Sequence, residues 1–164
     1  MDFAYADELN RTIRIVALKH RARAAALLAD LGLYPGQEIV LLELDTLGPR
    51  KQAELAVSCE CEPPTVSQLV RKLEIAGLIT RQPSTTDARA IVVDLTDRGR
   101  ALMGPLKSRW IELAEVTAAG LETTKPDELL SVVHELARSL CPAAALRLDQ
   151  RFERLSECRQ RTIN

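Results

Sequence analysis

The sequence predicts a mainly α-helical protein with one small β-hairpin near the middle of the chain. Apolar residues recur at helical spacing over most of the 164 residues. Aromatic residues make up only 3% of the chain, so Leu, Ile, Val and Ala must build the core, as in helical proteins. Only residues 78–95 contain two short β-rich runs around a polar stretch, which is the pattern of a hairpin.

Four helices are predicted ahead of the hairpin. Gly32 is a plausible stop for the first helix, and Pro35 is suited to the first turn of the second. The four are expected over Asp7–Leu31, from Pro35 to the Gly48-Pro49 pair, over Lys51–Ser58, and from Pro63 to about Ala76.

The hairpin and the remaining helices follow directly. The strands are expected at Leu78–Arg81 and Ala90–Leu95, with a long polar tip between them. Thr96 is a good N-cap for a fifth helix that ends near Gly120. A sixth helix opens at Pro126 and runs to Leu140, and a basic amphipathic tail follows Pro142.

Composition excludes some classes of function. The chain has no apolar run near 18 residues and no secretion signal, so neither a membrane partner nor export is expected, and the predicted location is the cytoplasm. No glycine-rich phosphate loop, HExxH motif or nucleophile elbow is present, so an enzyme, a cofactor or a metal site is not expected. The formal net charge of −1 argues mildly against a nucleic-acid partner.

The distribution of residues around the fourth helix outweighs that net charge. The apolar positions Val66, Leu69, Val70 and Leu73 share one face, whereas the start and the outer face are polar. The major groove of DNA admits one helix, and short hydroxyls, amides and cations suit base edges and phosphates. Duplex DNA is therefore the predicted partner.

The hairpin after this helix supports the same interpretation. Arg89 near the hairpin tip is placed to enter the adjacent minor groove, where an Arg is attracted by the negative potential. Asp87 is placed to orient its guanidinium through a charge-assisted hydrogen bond. The predicted DNA contacts are Pro64, Thr65, Ser67, Gln68, Arg71, Lys72, Arg81, Asp87 and Arg89.

A connected set of motifs covers about residues 31–106: Gln52-Ala53-Glu54-Leu55-Ala56, Pro63 to Glu74, Gly77-Leu78-Ile79-Thr80-Arg81, Asp87-Ala88-Arg89 and Leu95-Thr96-Asp97-Arg98-Gly99. With these motifs the chain resembles the MarR (multiple antibiotic resistance regulator) family of winged helix-turn-helix regulators.

The resemblance implies a homodimer that binds a pseudopalindromic operator with half-sites about one turn (~10 bp) apart. It implies an intertwined helical dimerisation region in residues 1–34 and 98–164, and a winged helix-turn-helix in residues 35–97. It further implies a repressor released by a small aromatic or anionic effector, for which Arg14, His20 and Trp110 are candidate ligand residues. The alternatives are packing at the dimer interface for Trp110, partly exposed packing for His20 and solvent exposure for Arg14.

Two alternatives remain open at this stage. Cys59 and Cys61 occupy positions where the family pattern has apolar residues, and Glu60 replaces the Gly between them. Buried thiols are therefore expected at both positions. The alternative is a regulator that senses oxidants through these thiols. A Cys141–Cys158 pair across the dimer is a second route to redox sensing. A winged-helix interaction module without DNA binding is the more distant alternative.

Overall fold

The computed structural model describes residues 1–84, 90–141, 149–150 and 153. The chain divides into two compact units, Met1–Thr117 and Ala118–Asn164. No helix in these described ranges is both long enough and apolar enough to cross a membrane. The elements are α1 (Phe3–Ala29), α2 (Gln37–Leu47), β1 (Arg50–Lys51), α3 (Gln52–Ser58), α4 (Pro63–Ile75), β2 (Ile79–Pro83), β3 (Ile91–Leu95), α5 (Asp97–Ala118) and α6 (Pro126–Leu140).

The first two helices start at other residues than predicted. α1 begins four residues earlier than predicted, because the Asp2 carboxylate accepts a hydrogen bond from the backbone N–H of Tyr5 at 2.9 Å. α2 begins at Gln37, so the prediction that Pro35 is its first residue was wrong. Gly36 adopts a left-handed φ of 99°, and its N–H donates to the carboxylate of Glu38 at 2.6 Å.

The wing is a three-stranded antiparallel sheet with the order β1–β3–β2, whereas the sequence predicted only the β2–β3 hairpin. β1 adds two residues to the other edge of β3, where Arg50 faces Val93 and Lys51 faces Val92. A two-residue strand carries no alternating pattern, so only its pairing partner reveals it.

The core lies under the winged helix-turn-helix and includes the C-terminal end of α1 and the first half of α5. Burying a Val or Leu side chain of this kind stabilises a fold by roughly 1.5–3 kcal/mol. The first 20 residues of α1 contribute nothing to this core. The largest fully buried side chains are Leu28, Val40, Leu41, Leu44, Leu55, Val66, Val70, Leu73, Ile79, Val93 and Leu106.

The junction of β2 with α5 brings two backbone segments into close contact. The predicted N-cap Thr96 is confirmed: its hydroxyl accepts from the N–H of Gly99 at 3.0 Å and donates to the carbonyl of Gly77 at 2.7 Å. A Cβ at Gly99 would lie 2.1 Å from the carbonyl oxygen of Leu78, so only glycine fits there. This contact sets the root of the wing against the start of α5.

The second unit contains α6, most of whose apolar residues are exposed. Val133, Leu136 and Leu140 recur at helical spacing along this exposed face. The imidazole of His134 lies 3.0 Å from the carboxylate of Asp149. Most of the predicted tail after Pro142, including Cys158, lies outside the described residues.

Glu60, in the turn between α3 and α4, is the only non-glycine residue with a positive φ among the residues described, at 53°. A left-handed conformation costs a non-glycine L-residue about 1–2 kcal/mol. Glycine avoids this cost, but it loses more conformational entropy on folding, which offsets part of the gain in stability. We expect Glu60→Gly to stabilise the fold by about 0.5–1 kcal/mol. Denaturant unfolding measures this change.

Glu62→Gly is the matched control, because Glu62 has an ordinary φ of −61° and its side chain makes no capping hydrogen bond. It removes the same charge from the same turn without relieving strain. If Glu60→Gly is no more stable than Glu62→Gly, the turn at Glu60 is not strained.

Candidate nucleic-acid interface

α4 separates its two faces as the sequence predicted. Val66, Val70 and Leu73 are buried with at most 1% of their surface exposed, and Leu69 is half-buried. Pro63 and Pro64 occupy the first two helical positions, where their lack of an N–H costs no hydrogen bond. The polar positions on the other face are exposed: Pro64, Thr65, Ser67, Gln68, Arg71 and Lys72.

Ser67 connects α4 to α3 through a hydrogen-bond chain. Its hydroxyl donates to the carbonyl of Pro63 at 2.9 Å, and the side-chain amide of Gln52 donates to the hydroxyl at 2.9 Å. Gln52 is the first residue of α3 and lies 15 positions away in sequence. The sequence held no signal for this contact, because nothing in a polar residue at a helix start indicates a partner so far along the chain.

The predicted cationic contacts divide into two kinds. Arg71 and Lys72 are exposed, and neither has an ion-pair partner in the described part of the chain. Arg81 on β2 is engaged within the protein instead: its guanidinium lies 2.7 Å from the Glu74 carboxylate at the end of α4. Arg71 and Lys72 are therefore the cations of α4 that are available to phosphates.

The root of the wing is tied to its neighbours by a second ion pair. The Arg100 guanidinium of α5 lies 3.0 Å from both carboxylate oxygens of Asp94 on β3. The roles of Asp94 and Arg100 depend on the sheet register, so the sequence contains no local signal for them. The predicted wing-tip contacts Asp87 and Arg89 lie outside the described residues, and their roles stay predictions.

Cys59 is a buried core residue next to the turn that precedes α4, as expected, with 7% of its surface exposed. Burial raises the pKa of its thiol to about 11. A redox-sensing thiol requires the opposite shift, towards the thiolate. Cys61 is half-buried, and its thiol donates to the carbonyl of Cys59 at 3.2 Å.

The three candidate ligand residues differ in exposure. Arg14 and His20 are exposed on the first part of α1. Trp110 of α5 packs against the core and against a second apolar cluster of Ala24, Leu27 and Leu113. A shallow groove of about 300 Å³ lies elsewhere, beside the α1–α2 turn. Its lining is apolar except for one cation: Leu31, Gly32, Ala76, Leu78, Arg98, Ala101 and Leu102.

Sequence comparison agrees with this geometry. Residues 33–91, which include the helix-turn-helix and most of the wing, match the model of the MarR family. The chain is 23% identical over 133 residues to the HTH-type transcriptional repressor NicR of Pseudomonas putida, covering 81% of this chain and 84% of NicR. It is 35% identical over 82 residues to the HTH-type transcriptional repressor Rv2887 of Mycobacterium tuberculosis, covering 50% of this chain and 59% of that repressor.

Solved structures share the fold. A mutant of E. coli MarR in complex with operator DNA superposes with a TM-score of 0.73 at 22% identity, covering 85% of this chain and 99% of that one. BpsR of Bordetella bronchiseptica, whose DNA binding is regulated by 6-hydroxynicotinic acid, gives a TM-score of 0.70 at 23% identity, covering 80% and 98%.

An exposed polar face on α4, a wing anchored beside it and the match of residues 33–91 to the family model point to the same conclusion. Residues 33–91 resemble the DNA-binding region of MarR-family proteins, and the comparisons support a DNA-binding transcriptional regulator.

Proposed function

We propose that this protein is a homodimeric repressor that binds a pseudopalindromic operator and is released from it by a small aromatic anion. One observation carries the DNA-binding part of this proposal. α4 presents hydroxyl, amide and cationic side chains to solvent on the face opposite its buried apolar stripe. A helix of this kind, placed in the major groove, matches the geometry of helix-turn-helix proteins.

Arg71 provides the first test. Each phosphate contact that is lost flattens the slope of log K against log salt concentration by roughly 0.9. We expect Arg71→Ala to weaken operator binding and to flatten the slope by about that amount. Fluorescence anisotropy over a series of salt concentrations measures both quantities.

Arg11→Ala serves as the matched control, because Arg11 is an exposed cation on α1 that pairs with Asp7 at 2.8 Å. It removes the same charge far along the chain from α4. Equal salt slopes for the wild type and Arg71→Ala would contradict a phosphate contact at Arg71.

The exposed apolar surface of α1 supports the dimer. Leu9, Ile13 and Val16 are 40–56% exposed and lie at the i, i+4 and i+7 positions of one helix face. Contiguous apolar surface of this kind marks an interaction site in a soluble protein. A second copy of the chain is the partner proposed here, because a two-fold operator requires two copies of α4.

Ile13→Glu tests this surface, since it places a charge in the middle of the apolar face. We expect the wild type to have twice the 18.1 kDa mass of one chain in solution. We expect Ile13→Glu to raise the dimer dissociation constant at least about tenfold, because an uncompensated charge in an interface costs several kcal/mol.

Ala22→Glu is its control, because Ala22 is exposed on α1 and lies half a turn around the helix from Ile13, so it adds the same charge to the opposite side. Analytical ultracentrifugation distinguishes the three proteins. A monomeric wild type at micromolar concentration would overturn the dimer.

The groove beside the α1–α2 turn supports an effector that carries both an apolar ring and a negative charge. Apart from Arg98, the residues that line it have apolar side chains or none, and Arg98 supplies a cation. BpsR, with the same fold, is regulated by 6-hydroxynicotinic acid, an aromatic acid. The thiol-based alternative has less support, because the Cys59 thiol is buried and its pKa is raised.

Footprinting on the DNA upstream of the protein's own gene tests the effector and the thiol together. We expect 6-hydroxynicotinic acid or a related aromatic acid to abolish the footprint, and peroxide or diamide to leave it intact, because a buried protonated thiol reacts slowly. Release by oxidant that disappears in Cys59→Ser would establish the thiol mechanism instead. Cys141→Ser is the control for an exposed thiol.

A further inference from the structure

The two hydrogen-bond partners of Ser67 determine which atom its hydroxyl proton points to. The hydroxyl oxygen lies 2.9 Å from the carbonyl oxygen of Pro63 and 2.9 Å from Nε2 of Gln52. A carbonyl oxygen only accepts hydrogen bonds, so the single hydroxyl proton of Ser67 is committed to Pro63. The amide of Gln52 must then be the donor in the second hydrogen bond.

This arrangement limits what Ser67 can do towards DNA. A hydroxyl that has donated its proton and accepted one hydrogen bond retains one lone pair. It therefore accepts a hydrogen bond and cannot donate one. In the major groove, the available donors are the amino groups of adenine and cytosine, whereas guanine and thymine present acceptor oxygens at the corresponding edge.

We propose that Gln52 is a positioning residue that holds Ser67 as a hydrogen-bond acceptor, so that α4 selects an amino base (adenine or cytosine) over a keto base (guanine or thymine) on the strand facing Ser67. This inference rests on the proposed function, in which α4 lies in the major groove. Gln52 acts through Ser67 and is not itself required to touch a base.

The position of Gln52 explains why it can perform this role. It is half-buried at the first residue of α3, and the following residues Leu55 and Ala56 are anchored in the core. Val66, beside Ser67, is 1% exposed, so the first turn of α4 is also fixed. Without the Gln52 amide, only the hydrogen bond to Pro63 holds this rotamer of Ser67. The hydroxyl then reaches another staggered position more easily, from which it can donate to a keto base.

The experiment measures base preference position by position. Wild type and variants are titrated against operator duplexes in which each base pair of one half-site is replaced in turn by the other three. At one position we expect the wild type to prefer an amino base by about 5- to 10-fold, the size of one net hydrogen bond. We expect Ser67→Ala and Gln52→Met to reduce that preference below about twofold at this position alone.

Three further proteins sharpen the result. Gln52→Glu also lacks a donor but keeps a polar side chain, so it remains decisive if Gln52→Met folds poorly in circular dichroism. Gln82→Met is the matched control, because it removes an exposed side-chain amide from β2, outside α4, and it retains the preference at the Ser67 position. The double variant Gln52→Met/Ser67→Ala loses no more preference at that position than Ser67→Ala does, because both changes act on one hydroxyl.

The outcomes separate this inference from the proposed function. A wild type that selects no duplex sequence overturns the proposed function itself. A wild type that selects an operator, combined with Gln52 variants that weaken all positions equally, overturns only the role of Gln52. A preference for a keto base at the position that Ser67→Ala affects also overturns the inference.

Discussion

The packing of Val66, Val70 and Leu73 into the core is the contact on which the rest of the interface depends. All three are almost completely buried, and they lie at helical spacing along α4. Because an α-helix is stiff, anchoring one face also orients the opposite face. The exposed positions of α4 therefore lie together on one surface.

Polar contacts then fix details that apolar packing leaves open. Glu74 pairs with Arg81 between the end of α4 and β2, and Asp94 pairs with Arg100 between β3 and α5. These pairs are about a third to a half exposed, so each contributes little to the free energy of unfolding. Their effect is geometric, because they hold the root of the wing against α4 and α5. The close backbone contact between Gly99 and Leu78 also holds the root of the wing against α5.

Net charge was a poor guide to the partner of this protein. The chain is close to neutral overall, yet α4 carries the cations Arg71 and Lys72 at exposed positions without ion-pair partners in the described ranges. Other cations, such as Arg81 and Arg100, are paired with carboxylates and are less available to phosphates. A nucleic-acid interface therefore depends on which cations remain unpaired on one face, more than on their total number.

The sequence by itself determined the order of helices and strands, the two faces of α4 and the cap at Thr96, because each of these depends on residues a few positions apart. Tertiary structure alone decided the third strand at Arg50–Lys51, the pairing of Arg81 with Glu74 and the contact of Gln52 with Ser67. Helical and strand periodicity is a local property, whereas a hydrogen bond between residues 15 positions apart exists only after α3 and α4 have packed.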